Sequence, residues 1–147
     1  MSEPAGDFLE SVPSLELRND LAELTRLAEW LHAAARQLQL PHEVLSDLDH
    51  CAAEAVHNVI AYAYNDAAEH LIRVRLDREP GGVSLEIEDD GAPFNPLEYP
   101  SPPPVLRLEQ ASLGGHGIRI MIGLMTECRY RRQGGKNVLT MVRAWKS

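Results

Sequence analysis

A chain of 147 residues has room for one hydrophobic core, and 44% hydrophobic with 24% charged residues is ordinary for a soluble globular protein. Acidic residues outnumber basic ones 22 to 14, a formal net charge of -8, which argues against a broad basic surface for nucleic acid. No apolar run approaches the roughly 20 residues that span a bilayer. The start MSEPAGDFLE lacks the basic and apolar stretches of a signal peptide, and Cys51 and Cys128 form no CxxC pair, so a cytoplasmic protein with reduced thiols is expected.

In chain order, residues 1–11 read as a loose tail and Val12 to Leu17 as a short edge strand, despite Pro13. Asn19 or Asp20 can cap a helix in which Leu21, Leu24, Ala28 and Leu31 recur at helical spacing, running to about Leu38. Pro41 and His42 open a second helix with an apolar face of Leu45, Leu48, Ala52, Val56, Val59 and Ile60, ending near Tyr64. The period then changes to two. Ile72, Val74 and Leu76 alternate with Arg73, Arg75 and Asp77, and after Glu79-Pro80-Gly81-Gly82 the residues Val83, Leu85 and Ile87 alternate with Ser84, Glu86 and Glu88. This predicts a hairpin with one apolar face and Arg–Glu pairs on the other.

Residues 91–113 are proline-rich and irregular, the length and texture of a lid or binding loop. A helix follows Gly114-Gly115, with Ile118, Met121, Ile122 and Met125 on one side. Strands at about Glu127–Arg132 and Val138–Trp145, joined through Gly134-Gly135, close the chain. Together these predict one α+β domain over 1–147, with an antiparallel-leaning sheet covered on one face by three helices.

Three constellations could carry chemistry. Glu54 and Asn58 stand at i and i+4 of the second helix, about 5–6 Å apart at Cβ, and a carboxylate and an amide so placed could share a hydrated metal ion or position a water. The wheel sets both opposite Val56 and Ile60, and from spacing alone a plain solvated face is the simpler reading. Asp89-Asp90-Gly91 ends the hairpin's second strand; a carboxylate there could accept from an adenine amino group, and an Asp-Gly turn is the bland alternative. Gly114-Gly115-His116-Gly117 opens a helix, where free N–H groups can take phosphate, although such loops are common. No GxxxxGK[ST], HExxH or eukaryotic-type kinase signature is present.

The order and spacing of these three pieces resemble the GHKL (Bergerat-fold) ATP-binding superfamily, and more narrowly its anti-sigma serine/threonine kinases of bacterial partner switching. Glu54-Ala55-Val56-His57-Asn58 matches the N-box ExxxN. Asp89-Asp90-Gly91 opens the G1 box, with Ala92-Pro93-Phe94-Asn95-Pro96 similar to its small-kinase version, and Gly114-Gly115-His116-Gly117-Ile118 matches the G2 box. The likeness runs from about Leu15 to Arg143.

The resemblance implies a two-layer α/β sandwich with a mixed, mostly antiparallel sheet and about three helices on one face. It implies ATP and Mg²⁺ as cofactors, Glu54 as general base, Asn58 as the protein ligand of Mg²⁺, Asp89 as reader of the adenine amino group and Gly91 beneath the base. Gly114, Gly115, His116 and Gly117 would lie at the phosphates and 91–113 would form the lid. It further implies a STAS-type anti-anti-sigma substrate, a sigma factor as second partner, a homodimer, and no direct nucleic-acid or membrane partner. An ATP-dependent sequestering module with weak or no kinase activity is the alternative. Three departures bear on this: Pro93 at the second glycine of DxGxG, usual in the small kinases; Tyr62 where many of these kinases carry histidine; and His116 in place of an arginine between the G2 glycines, one fixed positive charge fewer at the phosphates.

Overall fold

The computed structural model describes residues 12–98 and 121–146. The elements run β1 (Ser14–Arg18), α1 (Glu23–Gln37), α2 (His42–Tyr62), β2 (Leu71–Glu79), β3 (Gly82–Asp89), a 3-10 turn at Pro96–Glu98, β4 (Glu127–Gln133) and β5 (Lys136–Ala144). Residues 121–124 are helical too, where the helix after the glycine-rich segment was expected. Five strands form one sheet in the order β1-β2-β3-β5-β4. Every pairing is antiparallel, so the expectation of a mixed sheet is corrected to a uniform one among the described residues.

Alternation decides which face of the sheet is covered. Ile72, Val74 and Leu76 of β2 and Val83, Leu85 and Ile87 of β3 point inward, where they meet Leu27 and Leu31 of α1 and Leu48 and Val56 of α2. The intervening residues face outward as charge pairs: Arg75 with Glu86 at 3.9 Å, as the pattern predicted, but Arg73 with Glu16 and Lys136 with Glu88. Such exposed pairs contribute little stability; their work is to keep the open face polar. Both hairpins turn where glycine tolerates positive φ, at Gly81 (78°) and at Gly134 and Gly135 (59° and 76°).

The start of the chain departs from expectation. The first strand is Ser14–Arg18, one or two residues later than expected, and α1 begins at Glu23. Neither Asn19 nor Asp20 is its N-cap: Ala22 is, with no side-chain cap. Asn19 is engaged elsewhere, bonding the backbone of Ala68 and His70, while Asp20 accepts from Ala22 N. Leu21 is accordingly outside the helix and exposed, and the buried stripe is Leu27, Leu31, Ala34 and Ala35. Gln39 takes φ 57° just past α1, a position usually given to glycine, and Pro41 then resets the chain for α2. Ile122, expected on a buried face, is exposed, whereas Met121 and Met125 are buried. Among the described residues, no helix is long and apolar enough to cross a membrane.

Candidate functional site

Helix α2 lies on the sheet with more than one side covered. Its buried residues are Val44, Leu48, Cys51, Ala52, Ala55, Val56, Asn58 and Val59, so Asn58 belongs to the covered surface. The expectation of a solvated face opposite Val56 is overturned for Asn58, which is 1% exposed, and Ile60 is only partly buried. Glu54, one turn earlier, keeps partial exposure. Among the described residues, neither the Oδ1 nor the Nδ2 of Asn58 has a hydrogen-bond partner. An orphaned amide inside a protein costs about 1–3 kcal/mol of desolvation, so a residue left this way calls for a ligand to complete it. An amide oxygen held beside a carboxylate suits a hard cation such as Mg²⁺.

The second element is the end of β3. Asp89 is inward-facing and 3% exposed. Its Oδ1 accepts from Gly91 N and from Asn137 Nδ2, both at 2.8 Å, so both bonds fall on one oxygen and Oδ2 takes neither. Burial pushes the carboxyl above the usual aspartate range, an effect opposed by the bonds from Asn137 and Gly91 and by the Arg132 guanidinium. Ala55 and Val59 of α2, Ile87 and Leu139 of the sheet, and Phe94 and Pro96 of the following loop form a narrow apolar cleft that Asp89 closes at one end. Its free space is about 10 Å³, far less than a ring fills, so what it offers is the chemistry for a heteroaromatic ring with an amino donor, apolar walls beside a buried carboxylate, and not the room.

Gly91 has a local role of its own. A Cβ at this position would stand 2.4 Å from the carbonyl oxygen of Ala63 and 2.8 Å from its Cβ. Ala92 N donates to the same carbonyl at 2.8 Å. The turn after β3 is thus seated directly on the C-terminal end of α2, which joins the Asp89 and Asn58 halves of the site.

Sequence reasoning missed three residues here, all on the last hairpin. Asn137, directly opposite Asp89 in the β3–β5 register, donates from Nδ2 to Asp89 and to Ala92 O, while its Oδ1 accepts from Phe94 N at 3.0 Å, Tyr130 Oη at 2.5 Å and Arg132 Nη1 at 3.2 Å. Arg132 also donates to Gly91 O at 2.8 Å. The available signal was strand phase: Asn137, Leu139 and Met141 share the inward face, and a polar residue there demands partners. Tyr62, one of the departures noted above, packs its ring 5.7 Å from that of Phe94.

Gly114, Gly115, His116 and Gly117, and the lid beyond Glu98, lie outside the described residues. A larger concavity of about 880 Å³ sits elsewhere, between β1, β2 and α1. Its arginines are already paired, Arg18 and Arg26 with Glu23, Arg73 with Glu16 and Arg75 with Glu86, so the smaller cleft, closed by a buried carboxylate and walled by the helix that carries the orphaned Asn58 amide, is the stronger candidate.

Comparison with known proteins agrees with this geometry. A family described as histidine kinase-like ATPase domain matches residues 17–143. The chain is also similar to the serine/threonine-protein kinase BtrW of Bordetella bronchiseptica, at 33% identity over 128 residues, which cover 87% of this chain and 90% of that protein. An antiparallel sheet under helices, a helix-borne Glu54/Asn58 pair and a strand-end Asp89 are joined to a match over most of the chain, and with ATP as the nucleotide that the match implies, the protein belongs to the histidine kinase-like ATPase domain family.

Proposed function

We propose that this protein is a MgATP-dependent serine/threonine kinase and anti-sigma factor that phosphorylates a STAS-type anti-anti-sigma partner and, in its other state, sequesters a sigma factor. The observation that carries the kinase reading is the buried, unpartnered amide of Asn58 one helical turn from Glu54. The similarity to a protein named a serine/threonine-protein kinase supports it.

The residues divide the work. The purine is received at the wall of Ala55, Val59 and Leu139, a cleft that must widen from its present volume of about 10 Å³ to admit it, and Asp89 accepts its exocyclic amino group. Asn58 offers its amide oxygen to Mg²⁺, with Glu54 adjacent. When bound, the metal supplies neutralisation of charge on the phosphate oxygens. Glu54 takes the proton from the acceptor hydroxyl of the protein substrate as its oxygen bonds to the γ-phosphorus and ADP departs. The chain's contribution is alignment and charge placement, which is most of what phosphoryl transfer requires.

The test is transfer from γ-labelled ATP to a STAS partner. Wild type should transfer and Glu54→Ala should lose about 10²-fold or more of the rate, the usual scale for a general base. Undiminished transfer by Glu54→Ala would remove the assignment. The second reading, a sequestering module that binds ATP but turns it over weakly, is favoured by His116 standing where an arginine is common. Retention of sigma-factor binding by Glu54→Gln, with regulation in cells unchanged, would select it.

A further inference from the structure

We infer that Asn137 and Arg132, both on the last hairpin, form a positioning bracket that fixes the Asp89 carboxylate and the turn 89–94 in the geometry that receives the nucleotide base. The inference rests on the reading of Asp89 as the purine acceptor and adds the residues that aim it.

An asparagine amide has two N–H donors and two acceptor lone pairs. At Asn137 both donors are spent, on Asp89 Oδ1 and Ala92 O, and the oxygen already faces three donors, Phe94 N, Tyr130 Oη and Arg132 Nη1. Two acceptors on one side and three donors on the other permit only one orientation of the amide. Nothing is left over for a ligand, so Asn137 is a positioning residue and not a base reader. Its partners are three points of a single turn: the carboxylate, the carbonyl three residues beyond it, and the amide of Phe94, which lines the cleft. Arg132 adds a fourth through Gly91 O. With Oδ1 of Asp89 held by Gly91 N and Asn137, Oδ2 is the oxygen presented to an amino donor.

The charged surroundings of Asp89 come from several elements. Glu88 and Asp90 flank it in the chain, His70 just before β2 and Arg73 of β2 border it, and so does Lys136 of β5. On the inner side stand Arg132 and Tyr130 of β4, with Tyr64 beyond the end of α2 near enough to feel its charge. Burial raises the Asp89 pKa and the Asn137 bond is the leading effect that restrains the rise, so loss of that bond lets it climb further.

The experiment follows the Asp89 carboxyl by carbon-13 NMR titration in nucleotide-free protein, and ATP affinity by calorimetry from pH 5 to 8, in wild type, Asn137→Leu and Arg132→Gln. For Asn137→Leu the carboxyl midpoint should rise, the acid limb of ATP binding should move up with it, and affinity at neutral pH should fall about tenfold, the scale of one bond to a charged group. Arg132→Gln, an exposed position on an edge strand, should move both in the same direction by less. An unmoved midpoint and acid limb in both variants, even with weaker binding, would overturn the bracket and leave Asn137 a packing residue. Should Asn137→Leu not fold, Arg132→Gln decides by the same readings. If wild type takes up no ATP, the purine reading of Asp89 falls, and the carboxyl midpoint of the variants still decides the bracket.

Discussion

Replacing Gly91 by alanine puts one methyl group where the structure has none to spare. The added Cβ would lie 2.4 Å from Ala63 O, 2.8 Å from Ala63 Cβ and 2.9 Å from Ala63 C, and two of those three atoms are backbone at the end of a 21-residue helix. No rotamer change relieves the contact, so the turn after β3 must lift off α2. That lift strains the Ala92 N to Ala63 O bond and shifts the N–H that Gly91 gives to Asp89. Overpacking of this kind costs about 1–3 kcal/mol. For a chain of this size that lowers the unfolding midpoint by roughly 4–8 °C at the middle of the range. Gly123→Ala is the matched control, because a Cβ there meets nothing within 4 Å and the residue is helical; it should be neutral or stabilising by up to about 1 kcal/mol. Thermal melts of both variants, with and without MgATP, make the comparison. Gly91→Ala should melt earlier and lose much of the nucleotide-induced rise. Equal melting of the two variants, with ATP uptake intact, would refute the claim that the turn is seated on α2.

Asn58→Ala should leave the nucleotide-free protein as stable as wild type or more so, because it deletes an unsatisfied buried amide, while abolishing the several-degree stabilisation that saturating MgATP gives; a loss above about 2 kcal/mol in urea unfolding would mean the amide is satisfied after all. The raised pKa of Asp89 carries a sign: its contribution to folding is fully present below the unfolded pKa and is lost as pH rises through the folded one, so Asp89→Asn should be no less stable than wild type at neutral pH, yet should lose ATP binding in calorimetry. His70 works on the same side. Its hydrogen bonds to Asp66, and secondarily to Asp90, raise its pKa, so the stability it lends is complete below the unfolded histidine value and fades as pH rises through the raised one; melts of His70→Gln should lack that alkaline decline. Cys51 is fully buried, with its thiol pushed up to about 12 by desolvation, and should resist a thiol reagent at pH 8 until the protein is unfolded; rapid native labelling of that residue, read by mass spectrometry, would contradict its placement.

The hairpins were legible because their signals are local. Alternation from Ile72 to Ile87 and the glycine pairs at the turns fix strand, face and register without reference to the rest of the chain. The beginning of α1 was not, because Asn19 satisfies the backbone beside His70, 51 residues away, and a capping residue diverted by a distant partner gives no sign of it in sequence. Asn58 was found by spacing but given the wrong environment. A helical wheel assumes one buried stripe, whereas α2 is covered on several sides and includes Asn58 in what is covered. Asp89 was read as a strand-end carboxylate; Asn137, Tyr130 and Arg132 were not singled out, since they sit among other polar residues and their meaning comes from the β3–β5 and β4–β5 registers.

The seating of the β3 turn on the last residue beyond α2 has a mechanical consequence. A hydrogen bond and a van der Waals stop at Ala63 tie the strand that would grip the base to the helix that would face the phosphates, so neither can slide without the other. The spacing between the two ends of the nucleotide would therefore be set like a fixed gauge, chiefly by backbone atoms of Ala63, Gly91 and Ala92. Ala63, 1% exposed and without any reactive group, inherits as strict a size limit as the glycine it faces.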